Sequence, residues 1–137
     1  TINGARVQLH LAKNPNGFQQ KISLVMKDPN PKDVIILIND TYQDGEDVSW
    51  LWDVDFQHLA DANTKTILTA GTRKHDMGLR LKYEDIPCGS TDDMEKSIIN
   101  LTTNGTKNLY VIVNYSGLYR TNHLLNALAE VAKKGGN

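Results

Sequence analysis

The run V-I-I-L-I at residues 34–38 constrains this chain more than any other stretch. It is continuous, apolar and mostly β-branched. A strand with one wet face alternates, whereas a strand without alternation is covered on both faces, as a central strand of a parallel sheet is. A second run, L-Y-V-I-V at 109–113, reads the same way. Parallel neighbours need long crossovers, and the intervening segments carry helical spacing.

Residues 5–11 alternate, with Val7, Leu9 and Leu11 on one face, and predict a half-buried strand. N-P-N-G at 14–17 is turn chemistry. Phe18, Ile22, Val25 and Met26 then stripe a helix, which D-P-N-P at 28–31 ends. A short helix is expected over 56–62. A third strand is expected over 66–70 (T-I-L-T-A), and a helix over 73–83 with Met77 and Leu81 inward. Residues 86–90, broken by Pro87 and Gly89, predict an edge strand. Thr91 or Asp92 caps a helix striped by Met94, Ile98 and Leu101, and Asn104-Gly105 stops it. Residues 114–117 read as a loop and 118–133 as the last helix. The expected fold is α/β: a Rossmann-like three-layer sandwich in a single domain, 1–137. Its sheet is mostly parallel, of about 5–6 strands, with helices on both faces.

Charge sets further bounds. Fifteen Lys and Arg stand against sixteen Asp and Glu, a net charge of -1. Such a balance supplies no field to draw nucleic acid or an anionic membrane. The single Cys88 excludes an internal disulfide and a multi-cysteine metal site. No apolar run approaches the roughly 18 residues of a membrane span. A start at Thr1 and an end in Lys-Lys-Gly-Gly-Asn fit a domain excised from a longer chain.

Loops that follow parallel strands carry sites in this architecture. Those at 12–17, 39–54, 71–76 and 114–119 are expected along one edge of the sheet. The longest holds Asp40, Asp44, Asp47, Asp53 and Asp55. One of them orients a catalytic histidine or binds a cation, or all are turn formers bonding their own backbone, Asp44-Gly45 being the most turn-like pair. The spacing does not fit an EF-hand. Trp50 and Trp52, on the same side of an extended chain, are packing residues or interface anchors. Gly71-Thr72-Arg73-Lys74 opens a helix with two cations. It suits a phosphate, or is simply a solvated helix start. The histidines at 10, 58, 75 and 123 lack metal-ligand spacing, no metal site is expected, and Cys88 has no neighbouring histidine. The residues alone offer carboxylates without a complete catalytic set.

Five motifs occur in order: K-N-P-N-G-F at 13–18, N-D-T-Y-Q-D-G-E-D-V-S-W-L-W-D at 39–53, G-T-R at 71–73, L-R-L-K-Y at 79–83 and Y-V-I-V-N-Y-S at 110–116. With them the chain resembles, over essentially its whole length, the C-terminal domain of the MurT family. These are the Mur-ligase-like subunits of bacterial lipid II isoglutaminyl synthase. The resemblance implies a Mur ligase C-terminal type of fold and a heterodimer with a GatD-type glutaminase. GatD releases ammonia from glutamine. MurT uses ATP to activate the α-carboxylate of D-glutamate in lipid II, and ammonia converts it to D-isoglutamine. It further implies that ATP and Mg bind the full subunit, that zinc sits in another of its domains, and that this domain alone binds no cofactor and is inactive. The complex would be cytoplasmic and act at the inner face of the membrane.

The resemblance also assigns residues. Asp47 matches the aspartate that crosses to GatD and completes a Cys-His-Asp triad, which makes it the catalytic candidate. An acid so placed fixes the imidazole tautomer and stabilises imidazolium. Asp44, Gly45, Trp50, Trp52 and Tyr42 become interface or loop-shaping candidates. Arg73, Lys74 and Asn14 become candidates for facing nucleotide or substrate. The chain departs from the family at Glu46, where Arg is usual, and at Thr41-Tyr42-Gln43, where Asn-x-Ala is usual. Two alternatives stand beside this reading: a purely docking module, and the C-terminal domain of a conventional Mur-type amino-acid ligase. The latter carries a D-Y-A-H-like loop where this chain has N-D-T-Y-Q-D-G-E-D.

Overall fold

Five parallel strands lie in the order β1-β5-β2-β3-β4, and the two apolar runs sit side by side near its middle. The computed structural model describes residues 2–12, 14–40, 49–57, 59 and 63–135, with only the backbone of 50, 115 and 132–135. The strands are β1 Arg6–Leu11, β2 Lys32–Leu37, β3 Thr64–Ala70, β4 Gly89–Ser90 and β5 Asn108–Val113. The helices are α1 Pro15–Lys27, α2 Lys74–Tyr83, α3 Met94–Thr103 and α4 Tyr115–Gly135, with a 3-10 helix at Ser49–Asp53.

Every residue of β2 and β5 is buried, as uninterrupted apolar runs require. Their side chains divide between two cores with the period of two that a strand imposes. Val34, Ile36, Ile38, Tyr110 and Ile112 meet Phe18, Ile22 and Val25 of α1 and Met77 and Leu81 of α2 on one face. Ile35, Leu37, Leu109, Val111 and Val113 meet Ile98 of α3 and Leu125 and Leu128 of α4 on the other. These are the three layers expected. The chain steps outward from β1 through β4 along the first face and returns along the second, through α3, to insert β5 between β1 and β2. β5 and β2 are therefore neighbours whose following segments leave to opposite faces, so a switch point lies at their carboxyl ends.

Several expected boundaries shift, each for a local reason. α1 begins at Pro15 rather than Phe18: Asn14 caps it, its Oδ1 accepting from the Gly17 N–H at 2.7 Å. Proline suits the first helical position because its missing N–H is one that the helix cannot satisfy anyway. α4 begins at Tyr115, directly after β5. Its first turn packs so tightly on β2 that a Cβ on Gly117 would stand 2.5 Å from Leu37 Cδ2. The segment 49–53, expected as part of a loop, is a 3-10 helix. The helix expected over 56–62 falls largely outside the described residues; Phe56 and Leu59 within it are buried in the first core. The edge strand shrinks to β4, Gly89–Ser90.

Candidate functional site

The strand-end loops meet where β2 and β5 finish. Asn39, the second residue after β2, and Asn114, the first after β5, exchange two hydrogen bonds. The Asn39 N–H donates to Asn114 Oδ1 at 3.1 Å, and Asn114 Nδ2 donates to the Asn39 carbonyl at 2.7 Å. The Asn39 side chain faces both ways. Its Nδ2 donates to Ser116 Oγ at 3.3 Å on α4, and its Oδ1 accepts from the Thr72 N–H at 3.0 Å at the end of β3. One residue thus ties three strand ends together.

Gly71 makes this closure possible. Its φ is +90°, and a Cβ there would lie 2.4 Å from the Ile38 carbonyl oxygen and 2.7 Å from Asn39 Oδ1. Only a residue without a side chain allows the approach. The next residue, Thr72, donates through its hydroxyl to Asp40 Oδ1 at 2.7 Å and accepts from the Asp40 N–H at 2.9 Å. Arg73 Nε stands 2.9 Å from Asp40 Oδ2, and a second guanidinium nitrogen stands 3.4 Å from Asp76. The Thr72 hydroxyl, helped against burial by the Arg73 charge, holds the Asp40 carboxyl below the usual carboxylate range. Asp40 is ionised and fixed, and it is the last described residue before the acidic segment 41–48.

Beyond that segment the chain is gripped again. Arg80 of α2, 4% exposed, donates from Nε to the Leu51 carbonyl at 3.0 Å and from NH2 to the Val54 carbonyl at 2.6 Å. Its third contact is Glu84, at 2.9 Å. The guanidinium lies over Trp52 and Phe56, 5.3 and 5.1 Å from their ring centroids, in cation–π range. Trp52 remains 48% exposed and meets the exposed Tyr83 edge-on at 5.2 Å.

The candidates from sequence distribute as follows. Tyr42, Asp44, Gly45, Glu46 and Asp47 lie outside the described residues, as does the side chain of Trp50. Arg73 and Lys74 both stand at the start of α2, at the edge of the sheet that carries the site. Each meets a carboxylate: Arg73 those of Asp40 and Asp76, Lys74 that of Asp92. Asn14 stands at the end of β1 with its side-chain oxygen committed to the α1 cap. A cleft of about 570 Å³ opens beside the asparagine pair, lined by Asn39, Thr72, Asp93, Ser116, Arg120 and Thr121, among others. Asn39, Asn114 and Arg80 were not singled out from sequence, and Thr72 only as part of the segment Gly71-Thr72-Arg73-Lys74. For Asn39 and Asn114 a signal existed, since each follows an apolar run at the position where a strand meets its loop.

Cys88 and His75 line a separate cleft of about 430 Å³. Burial pushes the Cys88 thiol up, opposite to what an activated thiolate needs. Burial pulls His10 down, with the Lys21 charge acting in the same sense, and its ring stacks on Tyr110. Among the described residues no group of three or more His, Cys, Asp or Glu could hold a metal ion, and no helix is long and apolar enough to cross a membrane.

The fold is a doubly wound α/β domain whose chain is tied at Asp40 and again at Leu51 and Val54, near the switch point where sites lie in this architecture. Comparison with known proteins gives the family. The model for the MurT ligase C-terminal family matches residues 11–118, and the chain belongs to that family. It is similar to the protein named lipid II isoglutaminyl synthase (glutamine-hydrolyzing) subunit MurT of Streptococcus pneumoniae (strain ATCC BAA-255 / R6). The two are 30% identical over 139 residues, covering 99% of this chain and 31% of the relative. The protein of the same name from Staphylococcus aureus (strain COL) is 36% identical over 78 residues, covering 57% of this chain and 18% of the relative. The chain therefore spans under a third of the length of the curated relatives it matches.

Proposed function

We propose that this domain works within a glutamine-hydrolysing, ATP-dependent amidotransferase, and that Asp47 is the carboxylate it lends to the glutaminase active site of a GatD-type partner. The observation that carries the reading is the anchoring of the acidic segment. Asp40 is held by Thr72 and Arg73, and Leu51 and Val54 are held by Arg80. A segment that only turned the chain would need no such frame. The names of the relatives, a glutamine-hydrolyzing synthase and a subunit of it, support a partner and a ligase role for the whole protein.

The chemistry divides between the subunits. On the partner, a cysteine thiolate attacks the glutamine side-chain amide, ammonia leaves with a proton from histidine, and water releases glutamate from the thioester. Asp47 hydrogen-bonds the far nitrogen of that histidine, fixes its tautomer and stabilises the imidazolium. In the rest of the MurT subunit, ATP phosphorylates the α-carboxylate of D-glutamate in lipid II. Ammonia then displaces phosphate and leaves D-isoglutamine. We assign ATP with Mg, and zinc, to other domains of the full subunit, and the complex to the cytoplasmic face of the bacterial membrane. The domain by itself is then inactive.

Asp47→Asn in the assembled complex tests this. It should lower glutamine hydrolysis by about 10⁴-fold, the loss known for the wrong-tautomer variant of a serine protease triad. Unchanged turnover would leave the docking alternative, which the exposed Trp52–Tyr83 pair supports.

A further inference from the structure

The starts of the strands carry a charge pattern that the asparagine pair at their ends does not use. In the sheet order β1-β5-β2-β3, each strand brings one cation to that edge: Arg6, Lys107, Lys32 and Lys65. Arg6 and Lys32 open their strands, Lys65 is the second residue of β3, and Lys107 immediately precedes β5. The Arg6 N–H donates to the Lys107 carbonyl at 2.9 Å, which keeps those two side by side. Three strand spacings of about 4.8 Å make a row roughly 14 Å long. In a chain of net charge -1, this edge is locally basic.

All four line one cleft of about 440 Å³, together with Asp33 and Asn108. Four cations thus meet one carboxylate there, and that carboxylate is engaged: Asp33 Oδ2 accepts from the Thr106 hydroxyl at 2.5 Å. Arg6, Lys65 and Lys107 are exposed and form no ion pair among the described residues. Lys32 is 1% exposed, and its Nζ donates to the Asp28 carbonyl at 2.6 Å. Burial pulls its ammonium below the usual lysine range, with the Asp28 charge acting against it. A buried ammonium is costly, and like charges gathered on one concave surface repel one another. An anion seated in the cleft offsets both costs. Asn108, 9% exposed, adds a buried Oδ1 that has no hydrogen-bond partner among the described residues.

We propose that this cleft is a binding site for a diphosphate group. A carboxylate would balance only one of the cations. A phosphoryl group brings about −1.5 to −2 charges at pH 7, so two joined phosphoryl groups match the excess. A guanidinium takes phosphoryl oxygens in pairs, and ammonium groups meet them as point charges. The concave shape admits a discrete group, whereas a flat layer of anionic headgroups would need the cations on a projecting face. The site lies at the opposite edge of the sheet from Asn39 and Asn114, and it is independent of the role proposed for Asp47.

The test acetylates the lysines of the full-length subunit with and without sodium pyrophosphate and reads each site by mass spectrometry. Pyrophosphate at about ten times its Kd should slow acetylation of Lys65 and Lys107 about tenfold, because only the unliganded fraction reacts. The exposed Lys82 and Lys96 serve as internal controls and should react as before. Orthophosphate should protect Lys65 and Lys107 only at concentrations at least about tenfold higher. By calorimetry, the double variant Lys65→Gln/Lys107→Gln should lose one pyrophosphate site, while Lys82→Gln/Lys96→Gln, with the same charge removed elsewhere, should keep it. Comparing ADP with farnesyl diphosphate in the same footprint tells a nucleotide from a lipid-linked diphosphate, and protection by either supports the site. Pyrophosphate that leaves Lys65 and Lys107 unprotected overturns the proposal, and this readout needs no variant to fold. Equal protection by orthophosphate or sulfate reduces the cleft to general charge screening and overturns it too. So does protection by phosphatidylglycerol vesicles alone, which would assign this edge to a membrane surface.

Discussion

Asn114 grips both backbone groups of Asn39, accepting from its N–H and donating to its carbonyl, across the crevice between β5 and β2. Asn114 is 4% exposed, so neither bond has water as a ready substitute. Asn114→Asp keeps the shape but loses the donor and sets a carboxylate against a carbonyl oxygen. The expected cost at pH 7 is about 1–3 kcal/mol. Protonation restores a donor, so the introduced carboxyl will titrate above its usual range, and the cost will shrink as pH falls through that raised value. Urea unfolding at pH 7 and pH 5 measures both. A variant as stable as the parent at pH 7 would refute the account.

Gly71→Ala tests the close approach beneath the same site. The φ of +90° and the 2.4 Å that would separate the new Cβ from the Ile38 carbonyl oxygen act together. The expected loss is about 3 kcal/mol, combining left-handed strain with displacement of backbone. Thermal unfolding should show it as a fall on the order of 10 °C. A drop of one or two degrees would mean that the β2 and β3 ends are free to part.

Asp28 governs the opposite edge of the sheet and predicts a pH dependence. Its carboxylate accepts from the Tyr110 hydroxyl at 2.6 Å, Asn108 Nδ2 at 2.8 Å and the Asn30 N–H at 2.9 Å. The tyrosine hydroxyl first, then the Asn30 backbone, hold this carboxyl well below the usual range, against the effect of burial. A depressed folded value means stability that is fully present above the unfolded value of about 3.9 and lost as pH falls toward the folded one. Asp28→Asn should therefore cost about 1 kcal/mol at neutral pH. Its difference from the parent should narrow below about pH 4. A difference that is constant with pH would exclude the charge as the cause.

Trp52 combines half exposure with a fixed ring plane between Arg80 and Tyr83. Rigid, half-exposed aromatic surface is the usual material of an interface hot spot. Trp52→Ala in the full subunit should weaken binding to the proposed glutaminase partner by about 2 kcal/mol, near a thirtyfold rise in Kd by calorimetry. An unchanged Kd would place the partner elsewhere on the domain.

The layers were legible because burial writes itself into local pattern. The runs at 34–38 and 109–113 became the central strands β2 and β5. The stripe Phe18, Ile22, Val25 became the buried face of α1. Boundaries slipped where one residue type serves two structures: Asn14-Pro15 reads as a turn but equally as a cap and first turn. The 3-10 helix at Ser49–Asp53 was hidden, because a segment this short takes its shape from tertiary contacts, here the Arg80 fork. The polar frame was the least legible part. Asn39 and Asn114 are 75 residues apart, and Arg80 and Leu51 are 29 apart. No periodicity reports a hydrogen bond of that span. Nothing local in L-R-L-K-Y marks Arg80 as buried; its burial follows from what folds over it.

The strand order has a consequence for how the chain is made. β1 and β2 are successive in sequence, yet β5 lies between them and supplies all of β1's pairing. During synthesis β2, β3 and β4 can assemble as they emerge, while the first strand waits about a hundred residues for its partner, a long-range closure of the slow kind. A nascent chain ending after Asn104 should leave the amides of residues 6–11 exchanging freely with solvent, and release of residues 108–113 should protect them at a stroke. The same event brings Asn114 to Asn39. The asparagine pair is thus absent from every chain that stops short of Asn114.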